Sequence, residues 1–121
     1  APPQWPRAAA VHRAGVHEVP GCCGSLRVSN TATDGIPLAL LRNATWHARE
    51  AAQQFQRTPG TPPRSLKKQY QSAGVPAWSR VAPLLVSADG QLLFVPGLGT
   101  DARALAAPGQ PRVSLSWETS R

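Results

Sequence analysis

Two short apolar segments joined by a turn constrain the fold of this chain more than any other feature of its sequence. Ala82-Pro-Leu-Leu-Val86 and Gln91-Leu-Leu-Phe-Val95 flank Ala88-Asp89-Gly90. Asp-Gly between two apolar runs is a strong sequence indication of a tight β-hairpin. We therefore expect an antiparallel pair of strands here, and a fold in which sheet predominates.

Other short segments also have the character of strands. Ser25-Leu-Arg-Val-Ser29 is bounded by Gly and Asn, and Asp34-Gly35 indicates a turn. In Arg112-Val-Ser-Leu-Ser-Trp117, strict alternation places Val113, Leu115 and Trp117 on one face. A chain of 121 residues suits a single domain with one core. Many short strands with one or two helices predict an α+β fold.

The clearest helix signal lies between Ser65 and Gly74. The Ser65 hydroxyl can cap the first turn, and Gly74 can adopt the left-handed conformation that ends a helix, so we predict a helix from Leu66 to Ala73. At about 100° per residue, the side expected to be buried carries Leu66, Tyr70 and Ala73. The exposed side carries Lys67, Lys68, Gln71 and Ser72.

The segment from Ala44 to Arg57 is ambiguous. Its composition favours a helix over Ala48 to Arg57, but its apolar residues are few and Pro59-Gly60 ends the segment. From the residues alone, helix and hairpin both remain open.

The ends of the chain set the expected domain limits. Residues 1–15 are proline-rich and aperiodic, which predicts a linker stub or a disordered segment, and residues 16–118 are expected to form the domain, with 119–121 as a tail. The absence of methionine indicates a processed chain or a piece of a longer protein. No apolar run approaches the roughly 18 residues of a membrane span, so a soluble, cytoplasmic protein without a membrane partner is expected.

Charge is distributed unevenly. The chain has 13 Lys and Arg against 6 Asp and Glu, which gives a formal charge of +7 and suggests a polyanionic partner. Between Glu50 and Asp89 there is no acidic residue. The cations in that window are Arg57, Arg64, Lys67, Lys68 and Arg80. The competing interpretation is a solvated basic helix face without a ligand.

Motifs for chemistry are weak. Gly97-Leu-Gly-Thr-Asp-Ala102 fits the G-x-G-x-x-A pattern of dinucleotide-binding turns, but the prolines on both sides leave room for only about two turns of helix. The adjacent Cys22 and Cys23 lack the spacing of a zinc or redox site, and the three histidines show no ligand spacing. We expect no metal, no cofactor and no catalytic residue within these 121 residues.

Several blocks closely resemble one family. Arg64-Ser-Leu-Lys-Lys68, Gly74-Val-Pro-Ala-Trp-Ser-Arg80, Pro83-Leu-Leu and Val95-Pro-Gly-Leu-Gly99 occur in the order found in the C-terminal domain of bacterial tRNA(Ile)-lysidine synthetases. The resemblance covers about residues 38 to 118. It implies a small β-sandwich of mostly antiparallel strands with one principal helix, about 65–73, packed on it. The resemblance further implies a relation to a domain in the phenylalanyl-tRNA synthetase β subunit.

The resemblance also implies a function for the parent protein. Such enzymes use ATP, with Mg²⁺ expected, to attach lysine to C2 of the wobble cytidine in a tRNA(Ile) with a CAU anticodon. Their chemistry resides in an N-terminal domain with a Ser-Gly-Gly-x-Asp-Ser loop, which does not occur here. The partners implied for this chain are therefore tRNA(Ile), bound on its acceptor-stem side, and the catalytic domain of the same protein.

The resemblance favours a hairpin over residues 44–57, with Ala51-Ala52 at the turn where the family has Gly-Gly. Trp78 and Trp117 are assigned to the core, although Trp78 could instead stack on a base. The residues expected to bind nucleic acid are Arg64, Ser65, Lys67, Lys68, Arg80 and Arg57. The alternative function is a structural or protein-interaction module that docks on the parent enzyme or on a second subunit without touching RNA.

Overall fold

The computed structural model describes residues 8, 9, 11, 13–19, 24–48, 53–75 and 82–119. The strands of the described part are β1 (Gly15–Glu18), β2 (Gly24–Asn30), β3 (Ile36–Pro37), β4 (Thr45–His47), β5 (Gln54–Phe55), β6 (Arg64–Ser65), β7 (Leu84–Val86), β8 (Leu92–Val95), β9 (Gly99–Thr100) and β10 (Arg112–Thr119). The helices are α1 (Leu38–Arg42), α2 (Leu66–Ala73) and a 3₁₀ turn, Ala102–Ala104.

The strands form two four-stranded sheets and one separate ladder. The first sheet has the order β1-β2-β10-β3, and the second sheet has the order β4-β7-β8-β9. Strands β5 and β6 pair only with each other within the described residues. All of these pairings are antiparallel, as predicted.

The second sheet is the central layer of the molecule because both of its faces are covered. In β7, Leu85 belongs to a cluster shared with the first sheet, whereas Leu84 and Val86 belong to a cluster shared with α2. Successive side chains of a strand point to opposite faces, so β7 contributes to two cores at once. This burial on both faces explains why the strand is uniformly apolar, and it confirms the β-sandwich with a helix packed on it.

The core between the sheets includes an aromatic pair. Trp46 of β4 and Trp117 of β10 meet edge to face, with ring centroids 6.1 Å apart. Trp46 is buried and Trp117 is half-buried against the same cluster. The predicted inward face of β10 is confirmed, since Val113 is buried and Leu115 and Trp117 pack against that core.

Helix α2 has the predicted limits and caps. The Ser65 hydroxyl accepts a hydrogen bond from the Lys68 amide at 3.3 Å, and Gly74 adopts a left-handed φ of 69°. The predicted buried side is confirmed for Leu66 and Tyr70 but is wrong for Ala73, which is exposed. Gln69 is buried instead, because its amide reaches the adjacent ladder.

Ordered structure begins before the predicted boundary at residue 16. Val11 is a buried member of the core between the sheets, and the Ala9 amide donates to the Ala44 carbonyl at 3.1 Å. The linker interpretation of residues 1–15 is therefore wrong for the described part of that segment. At the other end, β10 runs to Thr119, one residue into the predicted tail.

Two of the predicted hairpins have different outcomes. The hairpin around Asp89-Gly90 is confirmed, with Leu85 opposite Phe94. Between residues 44 and 57, the described parts are the strands β4 and β5, so these parts are not helical. The two strands pair with β7 and β6 rather than with each other, unlike the arms of the predicted hairpin. The predicted turn at Ala51-Ala52 lies outside the described residues, as do Cys22, Cys23 and Trp78.

The glycine-rich segment after β8 lacks the dinucleotide-binding arrangement. Gly97 lies in a turn, Gly99 begins the edge strand β9, and only the short 3₁₀ turn follows. A dinucleotide site needs a full helix after the glycines, with its amino terminus at the pyrophosphate. The glycines therefore shape a turn and the edge strand of the second sheet rather than a nucleotide-binding turn.

This architecture predicts a circular dichroism spectrum with more strand than helix. The principal helix of the described part has 8 residues, and long strands such as β2 and β10 dominate the first sheet. A far-UV spectrum of the chain with strong helical minima near 208 and 222 nm would contradict the fold.

Candidate nucleic-acid interface

The ladder of β5 and β6 closes an ordered loop, residues 56–63. Within this loop the Thr61 hydroxyl donates to the Thr58 carbonyl at 2.7 Å, and the Gln56 side-chain amide donates to the Thr61 carbonyl at 2.6 Å. Gly60 has a φ of 85°, which glycine adopts without strain. The loop is thus held by its own polar groups, with Arg57 near its start and Arg64 of β6 directly after its last residue.

Contacts between this ladder and α2 fix their relative position. The buried Gln69 amide donates to the Phe55 carbonyl at 3.2 Å, and the Leu66 amide donates to the Gln53 carbonyl at 3.0 Å. Phe55, Leu66 and Tyr70 share one buried cluster beneath them. Polar and apolar contacts together therefore hold the loop beside the exposed side of the helix.

A groove of about 400 Å³ lies between the loop and α2, and we call it the basic groove. It is lined by Arg57, Thr58, Thr61, Pro62, Arg64, Lys68, Gln69 and Ser72. Three of the residues predicted to bind nucleic acid, Arg57, Arg64 and Lys68, thus share one concave surface. The hairpin connection brings the two arginines together although seven positions separate them in the sequence.

The charged side chains that line the basic groove are all positive. Its lining includes no acidic side chain. In the part of the chain that the structure describes, the two ion pairs are Arg27 with Glu118 and Arg103 with Asp101. The cations of the groove have no carboxylate partner among these residues, so their charges remain available to an anion from outside.

The other predicted site residues lie in different surroundings. Lys67 is exposed on α2 but does not line the groove. Ser65 is half-buried, and its hydroxyl is used as the helix cap. Arg80 lies outside the described residues. The role predicted for each of these residues stays a prediction.

The amino terminus of α2 offers few free amides to an anion. Free amides at the first turn of a helix can attract a phosphate. In the structure, the Leu66 amide donates to Gln53 and the Lys68 amide donates to Ser65. Because these amides already have partners within the chain, the attraction for an anion comes mainly from the side-chain cations.

Sequence reasoning missed a buried carboxylate behind the loop. Asp101 is fully buried, and its oxygens accept hydrogen bonds from the Arg103 side chain at 2.8 and 3.0 Å. This bonding raises the pKa of Arg103, against the opposite effect of burial. An acidic residue two positions before an arginine, next to a short strand, was the available signal.

Neither a metal site nor a membrane span is found in the described residues. No group of three or more His, Cys, Asp or Glu side chains among them could hold a metal ion. None of their helices has the length and apolar character needed to cross a bilayer.

The comparison with protein families decides the family membership. The model of the TilS substrate C-terminal domain matches residues 44–117, which include the ladder, the loop and α2. The chain belongs to this TilS C-terminal domain family. The resemblance stated from the sequence blocks is thereby confirmed.

Individual relatives agree with membership in the TilS family. The chain is 38% identical over 84 residues to a tRNA(Ile)-lysidine synthase of Ralstonia nicotianae, covering 69% of this chain and 18% of that protein. It is 41% identical over 93 residues to the tRNA(Ile)-lysidine synthase of Burkholderia pseudomallei, covering 70% and 19%. The chain thus spans less than a fifth of the length of these relatives.

A solved structure supports the fold of the TilS domain. A crystal structure of a TilS C-terminal domain superposes with a TM-score of 0.60 at 18% identity, covering 100% of this chain and 95% of the other. At this level of identity the likeness establishes the architecture alone. The predicted relation to the phenylalanyl-tRNA synthetase β subunit stays a prediction.

Proposed function

We propose that this chain is a tRNA-binding domain and that the basic groove contacts the phosphate backbone of the tRNA. The observation that carries the proposal is the groove itself, where Arg57, Arg64 and Lys68 converge without an acidic neighbour in the lining. Arginine forms bidentate hydrogen bonds to phosphate, and lysine adds a mobile positive charge. A groove beside an ordered loop can follow a strand of phosphates more closely than a flat basic face.

Such contacts would position the RNA rather than read its sequence. Phosphates are alike at every nucleotide, so they supply affinity and orientation without base specificity. A-form RNA presents its shape, its 2′-hydroxyls and a shallow groove to a protein. We propose that the domain holds the acceptor-stem side of the tRNA, so that the anticodon of a tRNA of the correct size reaches a distant active site.

The parent protein is proposed to be a tRNA(Ile)-lysidine synthase of the cytoplasm. Support comes from the names of the relatives and from the family match. Its separate N-terminal domain would use ATP and Mg²⁺ to attach lysine to the wobble cytidine of tRNA(Ile) with a CAU anticodon. This chain would contribute affinity and geometry to that reaction.

Substitution of Lys68 tests the groove, with its neighbour Lys67 as the matched control. In the full-length protein, Lys68→Ala is expected to weaken tRNA binding equally for cognate and non-cognate tRNAs, because phosphate contacts do not discriminate between them. It should flatten the slope of log K against log salt by up to about one unit. Lys67→Ala removes the same charge outside the groove lining and should have the smaller effect. Binding measured by filter retention over a salt series gives both quantities.

The same variants distinguish RNA binding from protein docking. If Lys68→Ala left tRNA affinity and salt slope unchanged but lowered the Tm of the full-length protein, the groove would be a contact to another protein domain. An exposed lysine contributes little to stability by itself, so the Tm should stay close to wild type if the groove binds RNA.

A further inference from the structure

The loop that bears Arg57 and Arg64 needs support beyond its own ladder. Strands β5 and β6 pair over two residues each, Gln54 with Ser65 and Phe55 with Arg64. An isolated two-stranded hairpin is marginally stable in water even when it is longer than this. Contacts with α2 hold one side of this ladder, so the position of the basic groove also depends on the contacts that hold the β5 side of the loop from behind.

Asp101 and its neighbours provide these contacts. The Asp101 carboxylate accepts a hydrogen bond from the Gln56 backbone amide at 3.3 Å. The Ala102 amide donates to the Gln56 carbonyl at 2.9 Å, and the Arg103 guanidinium donates to the Gln54 carbonyl at 3.0 Å. Both backbone groups of Gln56, the residue directly before Arg57, are thus bonded to this segment.

The segment is itself fixed to the central sheet. The Asp101 amide donates to the Leu93 carbonyl of β8 at 2.9 Å. The Asp101 carboxylate also accepts from the Arg103 amide at 2.9 Å and from the Arg103 side chain. The Asp101 carboxylate itself is fully buried, although the Arg103 side chain is partly exposed. Hydrogen bonds to an ionised group are stronger than those between neutral groups.

We infer that Asp101, with Arg103, is a positioning residue for tRNA binding: it holds the β5 side of the loop so that Arg57 and Arg64 face the same phosphates. This inference rests on the proposed function of the basic groove. Asp101 acts through the backbone of Gln56 and has no exposed surface with which to touch RNA itself.

The direction in which Asp101→Asn changes tRNA affinity distinguishes a positioning role from a purely electrostatic effect. Asp101→Asn removes a negative charge from a protein that binds a polyanion, so long-range electrostatics alone predict tighter binding. Asparagine keeps one acceptor oxygen, but its Nδ2 would face either the Gln56 amide and the Arg103 guanidinium or the Arg103 amide and Nε, and all of these groups are themselves donors. The loop should then lose its support, and tRNA binding should weaken although the net charge rises.

The experiment compares Asp101→Asn with Glu118→Gln in the full-length protein. Both substitutions remove a carboxylate that is paired with an arginine, but Glu118 lies on the first sheet, paired with Arg27. At a temperature well below the Tm of every variant, Asp101→Asn is expected to weaken binding of tRNA(Ile) transcripts by about five- to tenfold. It should also flatten the salt slope by about one unit for each phosphate that the loop no longer binds. Glu118→Gln should leave binding unchanged or slightly tighter.

Arg103→Lys provides a second variant that keeps the charge. Lysine can pair with Asp101, but it lacks the fork that also reaches the Gln54 carbonyl. We expect binding to weaken less than in Asp101→Asn, at unchanged net charge. If Asp101→Asn does not fold, Arg103→Lys alone decides: wild-type affinity with a wild-type salt slope would overturn the inference.

Comparison with the groove variant Lys68→Ala distinguishes failure of the positioning inference from failure of the proposed function. If Lys68→Ala weakens binding while Asp101→Asn and Arg103→Lys do not, Asp101 has only a structural role and the positioning inference is wrong. If none of the three variants changes binding, the proposed function of the groove fails first.

Discussion

Replacement of Leu66 by alanine is expected to lower the free energy of unfolding by about 2 to 5 kcal/mol. Leu66 begins α2 and is 1% exposed, within the cluster that joins the helix to the central sheet. Truncation of the side chain loses its burial and leaves a cavity, because the neighbouring Phe55 and Tyr70 can fill the space only in part. Chemical denaturation of the chain, followed by tryptophan fluorescence, measures this loss.

Lys67→Ala is the control for that measurement, since it changes the next residue of the same helix. Lys67 is exposed, and alanine favours helix slightly more than lysine does, so the change in unfolding free energy should stay within about 0.5 kcal/mol. Equal and small effects of the two substitutions would show that α2 does not pack on the sheet as described.

The largest effect on binding is expected from removal of all three cations of the basic groove. A variant with Arg57→Gln, Arg64→Gln and Lys68→Gln should lose about a hundredfold in tRNA affinity near 0.1 M salt and about two to three units of salt slope, because each phosphate contact releases close to one counterion. The variant should remain folded, since the three charged groups have no ion-pair partner among the described residues. Titration of fluorescent tRNA at several salt concentrations measures both quantities.

A second triple variant controls for net charge. Arg13, Arg27 and Arg42 are exposed and do not line the groove, so their replacement by glutamine changes the net charge by the same amount. This variant should lose much less affinity than the groove variant. If both variants weakened binding equally, tRNA would respond only to the overall charge of the domain, and the groove would have no special role.

The features that could be predicted from the sequence are local ones. The caps of α2 depend on Ser65 and Gly74, which act within a few residues of the helix. The β7–β8 hairpin likewise depends on its own turn, and the alternation in β10 depends on its own side chains. In each case the residues that decide the structure are neighbours in the chain, so their pattern is visible without knowledge of the fold.

The features that could not be predicted depend on distant parts of the chain. Helical periodicity could not distinguish Gln69 from Ala73 as the buried residue, because the deciding hydrogen bond acceptor is the Phe55 carbonyl, on a strand that the sequence left ambiguous. Val11 was assigned to a linker because residues 1–15 are proline-rich and aperiodic, and the buried cluster that it joins is assembled from residues of both sheets. Asp101 belonged to a motif considered for nucleotide binding, whereas in the structure it accepts a hydrogen bond from the Gln56 amide, 45 positions away.

The same distinction appears for the candidate site. The acid-free window correctly indicated a basic surface, and Arg57, Arg64 and Lys68 were all among the predicted residues. The sequence could not predict the geometry of the loop, which brings these three side chains into one groove and leaves Lys67 outside its lining. The sequence predicted the Ser65 cap that occupies the Lys68 amide, but not the Gln53 carbonyl that occupies the Leu66 amide, because only the fold brings that carbonyl to the helix.

The pairing of β2 with β10 has a consequence for synthesis of the chain on the ribosome. Asn30 pairs with Val113 and Gly24 with Thr119, and β10 lies between β2 and β3 in the first sheet. The amino-terminal strands therefore cannot complete their sheet until the ribosome has translated and released residues more than 80 positions later. Neighbouring strands of the second sheet can pair much earlier, since local contacts form before distant ones. During translation, the buried face of β2, which carries Leu26 and Val28, lacks its partner strand β10. A nascent chain most needs protection from aggregation in this interval.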